Sequence, residues 1–535
     1  MAALANIWRL FRAARVFARH DALLLPEQLA LVPAPARLGL KVLRLGAPAQ
    51  VGGAAQGRRA GALTELGPSY IKLGQFLSPR PDMIGARRAF ELKTLQDRLP
   101  PFPQAEAEAI VARELGRPVA DLFTSFGPAV AAASIAQVHK AQLRDGRRVA
   151  VKILRPGVEK RFAADMESFT FAADLMERVV PEGRRLRPVD AVAMLKQSMD
   201  LELDLRMEAA ALSEMAQNST DDPGLRFPAI HWEHTARRVL TTEWIDATPM
   251  ADVAALKAQG HDLVKLADTL VQSFLRHAIR DGFFHADMHQ GNLMVDAAGT
   301  IVPLDYGIMG RLIPKERLFL AEILHGFIVR DYEHVAQVHF DANYVPRSED
   351  PAIFAQALRA IGEPIMGLAA EDVSMSRLLT QLFDTTAQFN MTTQPQLLLL
   401  QKTMVVVEGV ARTLNPHFNM WKAGEPVVSG WIAQTLGPLG TLKQGAQSAL
   451  ALGKAALDLP DILDEARRAA EMLSAMAKSG GLRLDAATAA VIAEEQRRHN
   501  RWRDGAVVGG ALAPIAPAPA VLLVTPPVRC HRRGP

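Results

Sequence analysis

Between Val119 and Leu154 an otherwise helical chain changes texture to short β-type runs: "SIAQVHKAQL" and "RRVAVKIL" alternate apolar and polar side chains on either side of "RDG". An Asp-Gly turn between two alternating runs predicts a β-hairpin, because a tight turn of that composition matches the right-handed twist of the strands it joins. The flanking segments narrow the fold further. From about Leu63 to Glu114 the pattern is helical, interrupted at "SPRPD" and "LPPFP", where proline stops helices. Helix returns from Val158 to about Asn218, and "RFPAIHWEHTARRVLTTEWI" reads as further strands. After Asp246 the chain is mainly helical, broken by "HADMHQGNLMVD" (His285 to Asp296) and "IVPLDYG" (Ile301 to Gly307). No repeat at solenoid periods is present. The pattern predicts an α+β chain with a helical preface, a small β-rich lobe carrying an inserted helix, and a large helical lobe. Ligands favour the space between two such lobes.

Composition sets outer bounds on function. The 535 residues are 49% hydrophobic and 22% charged, which is enough apolar material for more than one core and excludes disorder as the default. The formal net charge of +4 is too small to call for nucleic acid. Cys530 is the only cysteine, so neither an intrachain disulfide nor a thiolate zinc site can form, and a reducing compartment fits. No Gly-x-Gly-x-x-Gly follows a strand, so nothing points to a dinucleotide redox cofactor.

Within those bounds a few residues carry chemistry. Lys152 stands in the apolar strand "VAVKIL", where a charge is costly unless it is paired or meets a ligand. Strand lysines of this kind hold nucleotide phosphates in protein kinases and pair with a helix glutamate. Glu208 in "RMEAA" and Glu202 in "LELDL" both qualify as that partner, and periodicity does not separate them. Asp287 and Asn292 have the spacing of a kinase catalytic loop, and Asp305 follows the apolar run "IVPL" where a metal-binding aspartate would stand. Oxygen donors of this type suit Mg²⁺. Two other readings of the stretch are a transition-metal hydrolase site built from His285, Asp287, His289 and Asp305, and a polar loop that only hydrogen-bonds itself. Where a glycine loop would cradle phosphate, "GPAVAAASIAQVHKA" instead places Ala131, Ala132, Ala133 and Ser134 at the turn.

Both termini raise the question of a membrane. In "MAALANIWRLFRAARVFARHD", Ile7, Leu10, Phe11, Ala14, Phe17 and Ala18 share one helical face, and Arg9, Arg12, Arg15 and Arg19 another. Such a helix can lie on anionic lipid, dock on its own domain, or serve as a mitochondrial targeting segment. Residues 505–528 carry no charge and are long enough to span a bilayer, but Pro514, Pro517 and Pro519 remove backbone donors that lipid cannot replace. An anchor and an Ala/Pro tail are both consistent with that stretch.

Taken in order, "LGPSYIKLGQFLSPRPDMI", "LQDRLPP", "AAASIAQVHKA", "VAVKILRPGV", "LELDLRMEAA", "LTTEW", "FFHADMHQGNLMV" and "LDYGIMG" resemble the UbiB-type atypical kinases associated with ubiquinone biosynthesis. The resemblance runs from about Leu66 to Gly310 and implies an atypical protein-kinase-like two-lobed fold. It implies that Lys72, Gly74 and Gln75 form the family's Lys-x-Gly-Gln signature on a preface lying over the active site, and that Glu202 and Asp204 form its Glu-x-Asp partner. By the same resemblance, Lys152 and Glu208 are the nucleotide lysine and its glutamate, Ala131 to Ser134 the alanine-rich loop, and Asp287 the catalytic aspartate. Asn292 and Asp305 would be Mg²⁺ ligands. Tyr306 stands where the family usually has Phe.

The resemblance divides the chain into a basic helix (1–22), a helical extension (23–117), an N-lobe (118–246), a C-lobe (247–480) and a tail (481–535). It implies a kinase or ATPase that uses ATP and Mg²⁺ to handle polyprenylated quinone precursors, or their biosynthetic enzymes, at an anionic membrane. The expected location is the cytoplasmic face of a bacterial inner membrane, with mitochondria as the alternative. Two further readings are a nucleotide-gated scaffold without required hydrolysis and a phosphotransferase acting on a small lipid or alcohol. Oligomeric state is open.

Overall fold

The computed structural model describes residues 2–20, 22, 58–78, 84, 91–92, 95, 99–179, 187–366, 388–389, 391 and 395–436. The candidate anchor 505–528 and the rest of the tail lie outside the described residues. Residues 1–429 belong to one compact unit and 430–515 to another, and every residue of the candidate site lies in the first.

The hairpin forms as the alternation predicts. Strands β1 (Phe123–Ala132), β2 (Ala136–Leu143), β3 (Arg148–Leu154) and β4 (Val239–Glu243) make one antiparallel sheet in that order. Gly146, with φ +88°, supplies the left-handed residue of the β2–β3 turn, where Asp145 accepts a hydrogen bond from the Arg147 amide. Val149, Val151 and Ile153 point to one face and are fully buried with Phe123, Ala141 and Leu143. The helix Gln104–Leu115 covers that face with Ala107, Ile110 and Val111. Side chains alternate across a strand, so Lys152 must project from the opposite face. The expectation of strand throughout "RFPAIHWEHTARRVLTTEWI" holds only for its second half. Trp232–His234 form a 3₁₀ turn, and the Thr235 and Thr241 hydroxyls donate to the His231 and His234 carbonyls, giving the backbone a local alternative to a ladder.

The preface packs as helices. We label Ala2–Arg19 α1, Arg58–Leu66 α2, Pro68–Leu77 α3 and Val158–Val179 α4. Gly67 (φ +97°) breaks the chain between α2 and α3, and Pro68 opens α3 at a position where its missing donor costs nothing. Their shared core includes Ala14, Phe17, Leu63, Ile71 and Phe162, with Tyr70 edge-on to Phe169 at 4.9 Å. On α1 the buried residues are Asn6, Leu10, Ala13, Ala14, Val16, Phe17 and Ala18, so the helix docks on its own domain. Ile7 and Phe11, assigned by periodicity to the same apolar face, stay outside it. Two helices follow, α5 (Pro188–Glu202) and α6 (Leu205–Asn218), separated by Leu203 and by Asp204, whose side chain caps α6.

In the helical lobe two short ribbons carry the polar loops. Strands β6 (Phe283–His285) and β9 (Met309–Arg311) pair, as do β7 (Leu293–Val295) and β8 (Ile301–Pro303), and β5 (Thr248–Pro249) adds to β7. The loop 286–292 therefore leaves one ribbon and enters the other, and the loop 304–308 returns. Among the described residues no helix is long and apolar enough to cross a membrane.

Two outcomes test this packing. Phe284 lies opposite Gly310 across the β6–β9 ribbon, and a Cβ at position 310 would fall within the Phe284 ring. Gly310→Ala is expected to lower the denaturant-unfolding free energy by about 1–3 kcal/mol through overpacking. His339 donates from Nδ1 to the Val335 carbonyl at 2.7 Å among Phe354 and Tyr344, and burial lowers its pKa from 6.5 to about 4. The folded state therefore resists protonation while the unfolded state accepts it, so this contribution is complete above pH 6.5 and is lost as pH falls toward 4. Up to ~3 kcal/mol is at stake, and His339→Leu should flatten the pH dependence of the unfolding midpoint across that window.

Candidate active site

The projecting Lys152 reaches two carboxylates that come from different elements. Its Nζ donates to Glu208 Oε1 at 2.7 Å and to Asp305 Oδ1 at 3.0 Å. Glu208 sits in the first turn of α6, where a carboxylate also suits the helix dipole. This resolves the choice between two glutamates: Glu202, the last residue of α5, pairs instead with Lys72 Nζ at 2.5 Å. Lys72 and Glu202 are 8% and 5% exposed, so this ion pair is shut away from water. Asp204 joins neither lysine. It accepts from the Arg206 amide and guanidinium, which makes it a cap of α6.

Charge balance follows from that geometry. Burial raises the pKa of Lys152's neighbour Glu208, with the Asp305 charge adding to the effect against the pull of Lys152. For Asp305, burial acts upward, but Lys152 and then the more distant Lys72 outweigh it and hold the carboxyl well below its ordinary value. Burial disfavours the charge on Lys152 itself, but its two carboxylates override this and hold it protonated. That Lys72 acts on Asp305 places the α3 lysine within electrostatic range of the same site.

The loops are tied by a hydrogen-bond network. His285 donates from Nε2 to the Leu304 carbonyl at 3.1 Å, and its Nδ1 accepts from the Asp287 amide at 3.1 Å. Burial lowers its pKa, so the ring is a neutral brace with both nitrogens committed. His289 Nδ1 accepts from the Gly291 amide. The alternative hydrolase site is thus not assembled: His285 has no nitrogen left for a metal, and among the described residues no three His, Cys, Asp or Glu groups converge on one.

Asn292 donates from Nδ2 to the Asp287 carbonyl at 3.0 Å, and the Leu304 amide donates to the Asn292 carbonyl at 2.7 Å. Among the described residues, these bonds leave the Asn292 Oδ1 acceptor without a donor. With the half-exposed carboxylate of Asp305 it forms an oxygen donor set of the kind Mg²⁺ takes, so the residues present fit that cation. Asp305 has φ +60°, an uncommon conformation for a residue with a side chain.

Tyr306 is buried beside it. Its hydroxyl donates to the Pro303 carbonyl at 2.7 Å, and its ring packs near His285 and Phe227. The phenol therefore adds a bond that the usual Phe could not make.

The alanine segment is only partly a turn. Ala131 and Ala132 are strand residues opposite Val138 and Gln137, whereas Ala133, Ser134 and Ile135 turn the chain. Two residues given no role by sequence reasoning support these loops. Arg155 donates to the Ala133 carbonyl from Nε and Nη2 at 3.0 and 2.8 Å, and to the Pro100 carbonyl at 2.9 Å. The Thr403 hydroxyl, on the helix Pro395–Leu414, lies 3.1 Å from the Ala286 carbonyl. Each gains its role from a distant segment; Arg155 lies within "VAVKILRPGV", whereas no local motif marks Thr403. Gly74 is needed for close approach: a Cβ there would sit 2.6 Å from Leu95 and 2.7 Å from Leu63. Gln75 Oε1, one residue on, is buried without a partner among the described residues.

The sequence is similar to that of known proteins. Residues 94–339 match the ABC1 atypical kinase-like domain, and residues 358–419 match the UbiB helical domain. A probable protein kinase UbiB of Marinobacter nauticus is 38% identical over 539 residues, covering 98% of this chain and 96% of its own. The protein of the same description from Azotobacter vinelandii is 41% identical over 382 residues, covering 70% and 71%. A Mycobacterium tuberculosis protein solved in complex with erythromycin is 27% identical and covers 69% of this chain and 94% of its own, with a TM-score of 0.47.

Tyr306→Phe should leave the ring packing intact but strand the Pro303 carbonyl. The expected loss is about 1–2 kcal/mol of unfolding free energy, read as a lower denaturant midpoint at unchanged slope.

Proposed function

The chain belongs to the UbiB family of ABC1-type atypical kinases, and from that premise we propose that it binds Mg-ATP between its lobes and supports ubiquinone biosynthesis at a bacterial membrane. The observation that carries the reading is Lys152 held between Glu208 and Asp305, with the Lys72–Glu202 pair nearby. Asn292 and Asp305 would hold the cation, which supplies charge neutralisation on the phosphates when bound. Lys152, oriented by Glu208, would meet the phosphates. Asp287, fixed by His285 and Asn292, would orient the attacking oxygen or take its proton. Catalysis of this kind rests on positioning and electrostatics, which a rigid hydrogen-bonded loop supplies.

The preface bears on the acceptor. A lysine this buried, locked to Glu202 and acting on Asp305, belongs to the site and leaves less room for a peptide chain. Water or a small polyprenylated lipid fits that reading better than a protein side chain. The direct Lys152–Asp305 bond favours one second reading, a nucleotide-gated scaffold: exchange of that bond for a nucleotide complex would itself distinguish two states.

Asp305→Asn separates the readings when assayed beside Asp287→Asn. Turnover of Mg-ATP by purified protein and quinone production in complemented cells should both fall about 10²-fold or more in Asp305→Asn with folding retained. Quinone production that survives in Asp287→Asn, with turnover gone, would favour the scaffold. Undiminished turnover in Asp305→Asn would sink the Mg-ATP reading.

A further inference from the structure

Helix α1 has two apolar stripes, and its own domain covers one. Leu10, Ala13, Ala14, Phe17 and Ala18 face inward against the preface core. The helix is fixed there by Arg9, which donates to Asn6 and to the Ala164 carbonyl, and by Ser168, which donates to Asn6. On the outer side Leu4 (71% exposed), Trp8 (63%), Phe11 (39%) and Ile7 (36%) remain exposed to solvent. At 100° per residue these four fall within one sector, and Arg12, Arg15 and Arg19 continue it toward the C-terminal end. All three arginines are exposed, and residues 2–19 contain no acidic side chain. Arg19 pairs with Glu65 of α2, and Arg12 and Arg15 precede it on the same sector of the helix.

We propose that this outer face of α1 lies on an anionic lipid surface. The first turns would enter the boundary between headgroups and acyl chains with Leu4, Ile7, Trp8 and Phe11, and the next turns would set Arg12 and Arg15 against lipid phosphates. Four large apolar side chains in one sector, with an indole among them, suit a boundary that is apolar on one side and polar on the other. The adjoining cations select its charge. A second copy of the chain would have to supply both an apolar groove and acidic partners, and an anionic bilayer supplies both at once. The inference rests on the membrane setting proposed above but not on the ATP chemistry, and it uses none of the residues of the candidate nucleotide site.

The test uses the full chain and reads α1 alone. Trp8 emission is obtained by subtracting the spectrum of Trp8→Phe from that of the wild type, on vesicles with brominated acyl chains. On phosphatidylcholine vesicles carrying phosphatidylglycerol, the Trp8 component should be quenched by the brominated chains and shielded from aqueous acrylamide. Omitting phosphatidylglycerol, or introducing Arg12→Glu with Arg15→Glu, should reduce that quenching about tenfold. Trp8 that stays open to acrylamide on vesicle-bound protein would overturn the proposal. So would shielding that needs no lipid and grows with protein concentration, since that marks a second copy. Unchanged circular dichroism in the variants excludes misfolding, because the altered side chains are exposed. Mg-ATP turnover measured in detergent on the same samples tests the nucleotide reading separately, and its absence would leave the lipid result standing.

Discussion

The site depends on one cation placed where water reaches it only in part. Lys152 is forced by the strand's alternation to the face of β3 opposite Val149, Val151 and Ile153, where it is partly buried against α6 and the loop after β8. It is tolerable there only because Glu208 and Asp305 surround it. Removing the lysine alone would leave Glu208 desolvated and unpaired, a situation that typically costs about 3–5 kcal/mol. The three charges therefore require one another, and they lie on three segments: the hairpin, the first turn of α6 and the loop after β8. Forming this triad fixes the small sheet, the inserted helices and the helical lobe against each other.

The preface repeats the device. Lys72 and Glu202 form a second buried pair, and Glu202 is separated from the cap of α6 by only Leu203. The end of α5 and the start of α6 thus hand one carboxylate to each lysine, while Asp204 closes the helix between them. Gly74 allows α3 to approach Leu63 and Leu95 closely enough for Lys72 to reach. The result is two cations and a set of carboxylates in one region, an arrangement whose surplus negative charge and uncommitted oxygen donors favour a hard cation.

Residues whose spacing is local were legible in the sequence. The hairpin, Lys152, Asp287, Asn292 and Asp305 could all be picked out because turn chemistry, alternation and loop spacing act over a few positions. Periodicity could not pick the partner of Lys152, since Glu202 and Glu208 lie on adjacent helices and tertiary packing across 56 residues distinguishes them; the family resemblance named Glu208, and the structure pairs it. Asp204 shares a motif with Glu202, but its carboxylate is used locally, as Asp at a helix start commonly is. Thr403 supports the loop 286–292 across 117 residues from within an apolar helix that carries no polar pattern to mark it. On α1 the periodicity was real, yet it could not show that burial would take Leu10, Ala14 and Phe17 and leave Ile7 and Phe11 outside. An amphipathic pattern gives the sum of two interfaces when a helix has both.

The alanine segment shows why the lysines matter. A glycine loop binds phosphate with backbone amides that are free to point at it. Here the Ala133 amide already donates to the Ala136 carbonyl, and Ala131 and Ala132 lie within the ladder opposite Val138 and Gln137. Arg155 holds the Ala133 carbonyl from behind and ties the turn to the linker at Pro100, so the loop cannot readily open to offer more donors. On the proposed Mg-ATP reading, phosphate charge would then be met by side chains and by a cation that Asn292 and Asp305 would hold. A loop of this kind trades backbone grip for dependence on Lys152, and any movement of the preface that shifts Lys72 acts on the same small group of charges.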